Sequence, residues 1–154
     1  MSSHGKLPRW LGLANRTILF LHRIGLPIGP PHILTVRGRR TGQLRSTPVS
    51  IVTVDGDRYI VGSPDAAWVK NVRAAGRAEM SRGRRSKTIQ LAEVPPEQRG
   101  RVLRTYWHQH PQGRPITANL LGLNGDATAD DFEAVAPGCP VFRLDLVPVV
   151  RPPA

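Results

Sequence analysis

Apolar residues near the start of the chain recur at spacings of three and four, from Leu11 through Ala14, Ile18 and Leu21 to Ile24. This period is typical of an amphipathic helix, so we predict a helix over residues 9–24. Its polar face is basic. Packing over the open end of a barrel is the simpler interpretation of such a helix, and a peripheral contact with a membrane surface is the alternative.

Beyond residue 30 the pattern changes to short runs rich in β-branched residues, which predict strands. A strong hairpin signal, Asp55-Gly56-Asp57, separates two of these runs. A basic turn, Arg82-Gly83-Arg84-Arg85, separates two others. The predicted strands cover residues 33–36, 47–54, 59–62, 77–81, 88–94 and 141–147.

Helical segments lie between and after these strands. Asp65 is a plausible N-cap for a helix over residues 66–75, which Gly76 ends. A second helix is predicted from Pro95 towards His110, and residues 113–138 read as part helix and part loop. About six strands joined mostly by hairpins predict an α+β fold in which a small antiparallel barrel removes exposed strand edges. At 154 residues we expect one domain over residues 1–154.

Charge adds a constraint on the ligand. The formal net charge is +11, and all but three of the 22 basic residues are arginines. Arginine makes planar, two-pronged contacts with phosphate and carboxylate, so the composition suits an anionic ligand, a nucleic acid or an anionic surface. Aromatic residues make up only 5% of the chain and no stacking motif lies on a strand, which disfavours nucleic acid.

Other features of the composition bear on location. The single cysteine, Cys139, excludes an internal disulfide and favours a reducing cytoplasm. No apolar run approaches the roughly 20 residues that a membrane-spanning helix needs. We therefore expect a cytoplasmic protein, with membrane association through the first helix as the alternative.

The segment Gly38-Arg39-Arg40-Thr41-Gly42 joins two predicted strands. Glycine permits positive φ and close backbone approach, so successive N–H groups can converge on an anion. The two arginines add charge-assisted donors, and the threonine adds a hydroxyl. A phosphate suits such a loop, although an exposed basic hairpin has the same composition.

Further motifs follow this loop in order: Arg45, then Thr47-Pro48-Val49, then the hairpin, then Trp68-Val69-Lys70-Asn71-Val72. Together they resemble the deazaflavin-dependent nitroreductase and quinone reductase family of actinobacteria. The resemblance covers residues 30–94. It implies a split β-barrel, similar to flavin reductases, that binds the reduced deazaflavin coenzyme F420 and passes its hydride to a small acceptor such as a quinone, a nitro compound or an activated alkene.

The resemblance also implies roles for residues. The loop would hold the coenzyme phosphate and its acidic tail, the next strand would lie against the ring, and the partner strand and the helix would border and wall the site. The expected cofactor-binding residues are Arg39, Arg40, Thr41, Gly42, Arg45, Thr47, Pro48, Val49, Ser50, Gly62, Ser63, Trp68 and Asn71. Related proteins of this architecture use FMN, FAD or haem, so these remain alternative cofactors, and a monomer and a homodimer are both open.

No general acid or other catalytic side chain is named, because the hydride chemistry belongs to the coenzyme. Tyr106, Trp107, His108 and His110 cluster on a late helix, where they could line the acceptor pocket or pack on the barrel. Two histidines two residues apart point to different helix faces, so we expect no metal site.

Overall fold

The computed structural model describes residues 32–146. The predicted N-terminal helix over residues 9–24 and the last residue of the predicted final strand lie outside this range. No helix within the described part is long and apolar enough to cross a membrane.

Seven strands and four helices make up the described chain. The strands are β1 (His32–Arg37), β2 (Leu44–Val49), β3 (Ile51–Val54), β4 (Asp57–Val61), β5 (Arg77–Arg82), β6 (Arg85–Glu93) and β7 (Val141–Leu146). The helices are α1 (Ala67–Ala75), α2 (Arg99–Gln109), α3 (Arg114–Leu120) and α4 (Ala129–Val135), with short 3-10 turns at Pro96–Gln98, Pro111–Gly113 and Ala136–Gly138.

The strands form one antiparallel sheet in the order β2-β1-β5-β6-β7-β4-β3. Strands β2 and β3 therefore lie at opposite edges of the sheet, yet only Ser50 separates them in sequence. The sheet must curl until its two edges meet at Ser50. This closure confirms the predicted α+β split barrel.

Two details differ from the sequence-based expectation. Residues 47–54 do not form one strand, because the chain leaves one sheet edge at Ser50 and enters the other, so seven strands replace about six. The N-cap of α1 is Ala66, which has extended backbone and makes no side-chain capping bond, and not Asp65. Gly76 does end this helix, in the left-handed conformation at φ 73°.

Both predicted hairpins are present. Asp55 and Gly56 both have positive φ, 50° and 84°, which gives the tight two-residue turn between β3 and β4 that matches sheet twist. The basic turn closes β5 on β6, with the pair Arg82 and Arg85 opposite each other.

The sheet has apolar residues on both faces. One core joins α1 to residues of β1, β2, β4, β5, β6 and β7, including Leu34, Val36, Ile60 and Phe142. The other joins α2, α3 and α4 to Val52 and Val141. The first core fixes α1 against the strand that leads into the arginine loop, which is the arrangement the site depends on.

Candidate coenzyme site

The loop between β1 and β2 has a fixed backbone. Gly42 N–H donates to the carbonyl of Gly38 over 2.9 Å, and Gly38 N–H donates to the carbonyl of Gln43 over 2.7 Å. Gly42 has φ 72°, the left-handed conformation that glycine tolerates best. A residue that sequence reasoning did not select, Arg37, adds a side-chain bond from Nη1 to the carbonyl of Gly42 at 3.0 Å.

Helix α1 holds the same loop from the side. The Oδ1 atom of Asn71 accepts from the backbone N–H of Arg39 at 3.1 Å and from its Nη1 at 3.0 Å. Asn71 is buried, so the loop is fixed to the helix by a polar contact that water does not replace. Asn71 therefore positions the loop.

These contacts determine which donors the loop still offers. Within the described chain, the N–H groups of Arg40 and Thr41 donate to no protein atom, and the guanidinium group of Arg40 has no hydrogen-bond partner. The hydroxyl of Thr41 accepts from Gln43 N–H at 3.3 Å. The free donors are therefore concentrated at residues 40 and 41, the tip of the turn.

Strand β2 continues from the loop along the barrel wall. Arg45, Thr47 and Val49 pair with Val36, Leu34 and His32 of β1 and so share the face of the first core. Pro48 lies on the opposite face. Within residues 32–146, β2 is an edge strand bonded only to β1, so no strand in this range neighbours its outward backbone groups.

The two halves of the expected site lie far apart. Strand β2 has six residues, and a strand of that length spans roughly 17 Å. The loop lies at one end of it and Ser50 at the other. A single small anion cannot contact both, whereas an extended molecule with an anionic end can.

Gly62 and Ser63 follow directly on β4, beside the start of β3, and Trp68 lies on α1. A Cβ on Gly62 would come within 2.6 Å of Val69 Cγ2 and 2.7 Å of the Trp68 ring, so this glycine allows α1 to pack tightly. Trp68 in turn packs against Phe142, with ring centroids 6.0 Å apart. The carbonyl of Ser63 accepts from Ala66 N–H at the start of the helix. These contacts are packing and turn contacts.

The four residues of the late aromatic cluster have different surroundings. Tyr106 is buried in the second core and bonds Thr117, Trp107 donates to the carbonyl of Ala127, and His108 is exposed. Only His110 reaches towards Ser50, with Nε2 2.9 Å from the carbonyl of Ile51. No group of side chains suited to a metal ion occurs in residues 32–146.

Two cavities lie elsewhere. A groove of about 270 Å³ lies beside Arg37, Leu44 and Arg77 on the outer face of the sheet, next to the loop. A larger one, of about 640 Å³, lies between α2 and the β4–β7–β6 strands and contains none of the expected site residues.

Comparisons with known proteins identify the family. A family model described as F420H(2)-dependent quinone reductase matches residues 22–116, more than half of the chain. No curated protein matches the sequence.

Solved structures share the fold. One described as a domain-swapped dimer is 21% identical, with a TM-score of 0.50 over 88% of this chain and 97% of that one. Rv2991 from Mycobacterium tuberculosis, a conserved hypothetical protein, is 13% identical with a TM-score of 0.53 over 92% and 81%. The heme storage protein HutZ from Vibrio cholerae is 8% identical with a TM-score of 0.50 over 86% and 89%.

The fold and the family match define a split-barrel oxidoreductase that depends on the deazaflavin coenzyme F420. The chain belongs to the F420H(2)-dependent quinone reductase family.

Proposed function

We propose that this protein binds reduced F420 along β2 and transfers its hydride to a small acceptor, with a quinone as the first candidate and nitro compounds or activated alkenes as the others. The observation that carries the proposal is the loop at residues 38–42. Its backbone is fixed by Asn71 and Gly42, and its free donors lie together at the tip.

The donor chemistry of the loop fits the anionic end of the coenzyme. Arg39 and Arg40 have no carboxylate within ion-pair distance in the described chain, so their charge is available to a phosphate and an acidic tail. Arg45 follows on the same face as Thr47. Charge-assisted bonds of this kind are stronger than bonds between neutral groups.

The rest of the expected site orients the ring. Thr47, Pro48, Val49 and Ser50 lie one strand length from the loop, on an edge with open backbone groups. When bound, the reduced deazaflavin supplies the hydride. The protein binds the coenzyme, holds its ring near Ser50 and leaves one face for the acceptor. Gly62, Ser63 and Trp68 support that wall through packing.

We also propose a homodimer. The domain-swapped assembly of the similar structure supports it. Light scattering of the purified protein measures this directly, and a monomer at micromolar concentration contradicts it. A cytoplasmic location and a membrane contact through residues 9–24 remain predictions from the sequence.

A spectral titration tests the cofactor. Purified protein is titrated with F420, FMN, FAD and haem, and reduced F420 is then supplied with a soluble quinone. We expect micromolar or tighter binding of F420, which corresponds to about 8 kcal/mol, and oxidation of the reduced coenzyme that depends on the quinone. Tighter binding of FMN, FAD or haem than of F420 contradicts the proposal.

A further inference from the structure

Strand β3, one of the two edges of the curled sheet, has hydrogen-bond partners on a helix. Hydrogen bonding alternates along an antiparallel pair, so every second residue of an edge strand directs both backbone groups outward. On β3 these residues are Ile51 and Thr53. They immediately follow Ser50, where the two edges meet.

The end of helix α2 supplies partners for this edge. The Gln109 side chain bonds Thr53 twice, accepting from its N–H at 3.1 Å and donating to its carbonyl at 2.8 Å. His110 adds the contact between Nε2 and the carbonyl of Ile51 at 2.9 Å. We call Gln109 and His110 the edge clamp. A side-chain amide thus takes the place of a neighbouring strand.

The clamp is itself held in place. The His110 ring packs against Tyr106, with centroids 4.9 Å apart. Tyr106 is buried, and its hydroxyl lies 2.7 Å from that of Thr117. Gly113 allows this approach, since a Cβ there would lie 2.8 Å from the Tyr106 hydroxyl. The clamp therefore fixes the start of β3 relative to α2.

Three of the four outward backbone groups on Ile51 and Thr53 are satisfied by the clamp. The fourth, the N–H of Ile51, donates to no residue of the described chain outside the sheet. It lies next to Ser50, the end of the segment at which we propose to place the coenzyme ring.

We infer that Gln109 and His110 are positioning residues for the coenzyme: they hold the Ser50–Ile51 junction so that the Ile51 N–H faces the deazaflavin ring as a hydrogen-bond donor. The inference rests on the proposed function and adds to it a role for α2. The backbone N–H of Ile51 is then already in place as a hydrogen-bond donor when the coenzyme ring binds. Gln109 and His110 themselves need not touch the coenzyme.

Gln109→Met is the first test, because methionine keeps the length of the side chain and removes both amide bonds. His108→Gln is the matched control, since His108 lies on the same helix end and is exposed, and the hydrogen bonds from this helix end to β3 come from Gln109 and His110. His110→Phe is the second variant, which keeps a ring against Tyr106 and removes the bond to Ile51.

Oxidised F420 is titrated into each variant, and hydrogen exchange of the Ile51 and Thr53 amides is followed with and without it. We expect the dissociation constant to rise about three- to tenfold in Gln109→Met and His110→Phe, the scale of one or two lost hydrogen bonds. The Thr53 amide should exchange faster in Gln109→Met. Bound coenzyme should slow exchange at Ile51 in the parent, and less in both variants. His108→Gln should match the parent throughout.

Two results overturn the inference, and they are distinguishable. Parent-like F420 binding in Gln109→Met together with faster Thr53 exchange shows that the clamp is structural only, and leaves the proposed function standing. Failure of the parent to bind F420 removes the proposed function and the inference with it. If Gln109→Met does not fold, His110→Phe decides by the same binding measurement.

Discussion

Arginines in two regions of this protein have opposite surroundings. On α1, α2 and β7, arginines are paired: Arg73 and Arg99 with Glu93, Arg101 with Asp55, Arg104 with Asp130 and Glu133, and Arg143 with Asp145. Around the β1–β2 loop, none of Arg37, Arg39, Arg40 or Arg45 has a carboxylate within ion-pair distance in the described chain.

The sequence contributes to this difference, because the first acidic residue of the chain is Asp55. The loop therefore has no acid among its neighbours in sequence, whereas the second half of the chain contains both acidic and basic residues. In a paired arginine the charge is offset by a carboxylate, whereas an arginine without such a partner retains its charge for a ligand. The positions of the eleven acids thus leave the loop arginines without an ion-pair partner, and we propose that these arginines bind the ligand.

The largest effect should come from Arg99, the most buried of the paired group. Its side chain donates to the carbonyls of Val94, Pro137 and Cys139. Arg99→Met leaves these carbonyls without their donor and should lower the free energy of unfolding by about 3–5 kcal/mol. Urea denaturation measures this.

Arg101→Met is the control, because Arg101 is on the same helix and its pair with Asp55 is exposed. It should have little effect on stability. A loss below about 1 kcal/mol in Arg99→Met contradicts a structural role for Arg99.

Arg40→Ala should have the opposite signature. Loss of a charge-assisted bond to the coenzyme should weaken F420 binding by about 1.5–3 kcal/mol, while an exposed loop arginine adds little to stability. The measurements are F420 affinity and melting temperature. Arg84→Ala is the control and should leave F420 affinity unchanged. Arg84 lies on the basic turn between β5 and β6, at the end of the sheet opposite to the β1–β2 loop. Equal weakening in both variants would mean that the site responds to net charge alone.

The smallest effect concerns pH. Hydrogen bonding to Arg73 holds the pKa of Glu93 below its ordinary value of 4.5, and burial partly opposes this. A lowered pKa in the folded protein contributes stability that is present above pH 4.5 and disappears as the pH falls through the folded pKa. Glu93→Gln should therefore lower stability at pH 7 by less than about 1 kcal/mol, because the pair is partly exposed.

The difference between Glu93→Gln and the parent should shrink as the pH is lowered below 4.5, measured by thermal unfolding at several pH values. A difference that stays constant down to pH 2 would assign the effect to packing and not to charge.

Cys139 is buried in the second core, where its carbonyl accepts a hydrogen bond from Arg99. Burial raises the pKa of its thiol, and the charge of Arg99 partly offsets the rise. The thiol therefore stays protonated and unreactive at neutral pH.

Sequence patterns predicted much of this architecture. The two hairpins followed from Asp55-Gly56 and from the basic turn, since turn chemistry is local. The break at Ser50 was not predictable, because residues 47–54 are uniformly rich in β-branched side chains and only tertiary pairing divides them. The expected N-cap at Asp65 was wrong: the helix begins at Ala67, one residue later than expected, with Ala66 as its cap.

The site was predictable where a motif carries it. Arg39 and Asn71 came from separate motifs, and the structure brings them into direct contact. Gln109 had no such signal, since a glutamine on the polar end of a helix looks like any solvated residue. Its two hydrogen bonds to Thr53 depend on how α2 packs against β3. This packing joins residues far apart in sequence, so a local sequence pattern does not predict it.

Strand β7 has a consequence for the order of folding. It lies between β6 and β4, so without it the sheet consists of two pieces, β2-β1-β5-β6 and β4-β3. On its other side, Tyr59 of β4 pairs with Arg143 of β7, which lies more than 80 positions further along the chain. Contacts of such sequence separation slow folding and leave strand edges open in the meantime. A ribosome-bound chain that ends before Val141 therefore carries two incomplete half-sheets, and closure of the barrel at Ser50 is completed only after β7 has been synthesised.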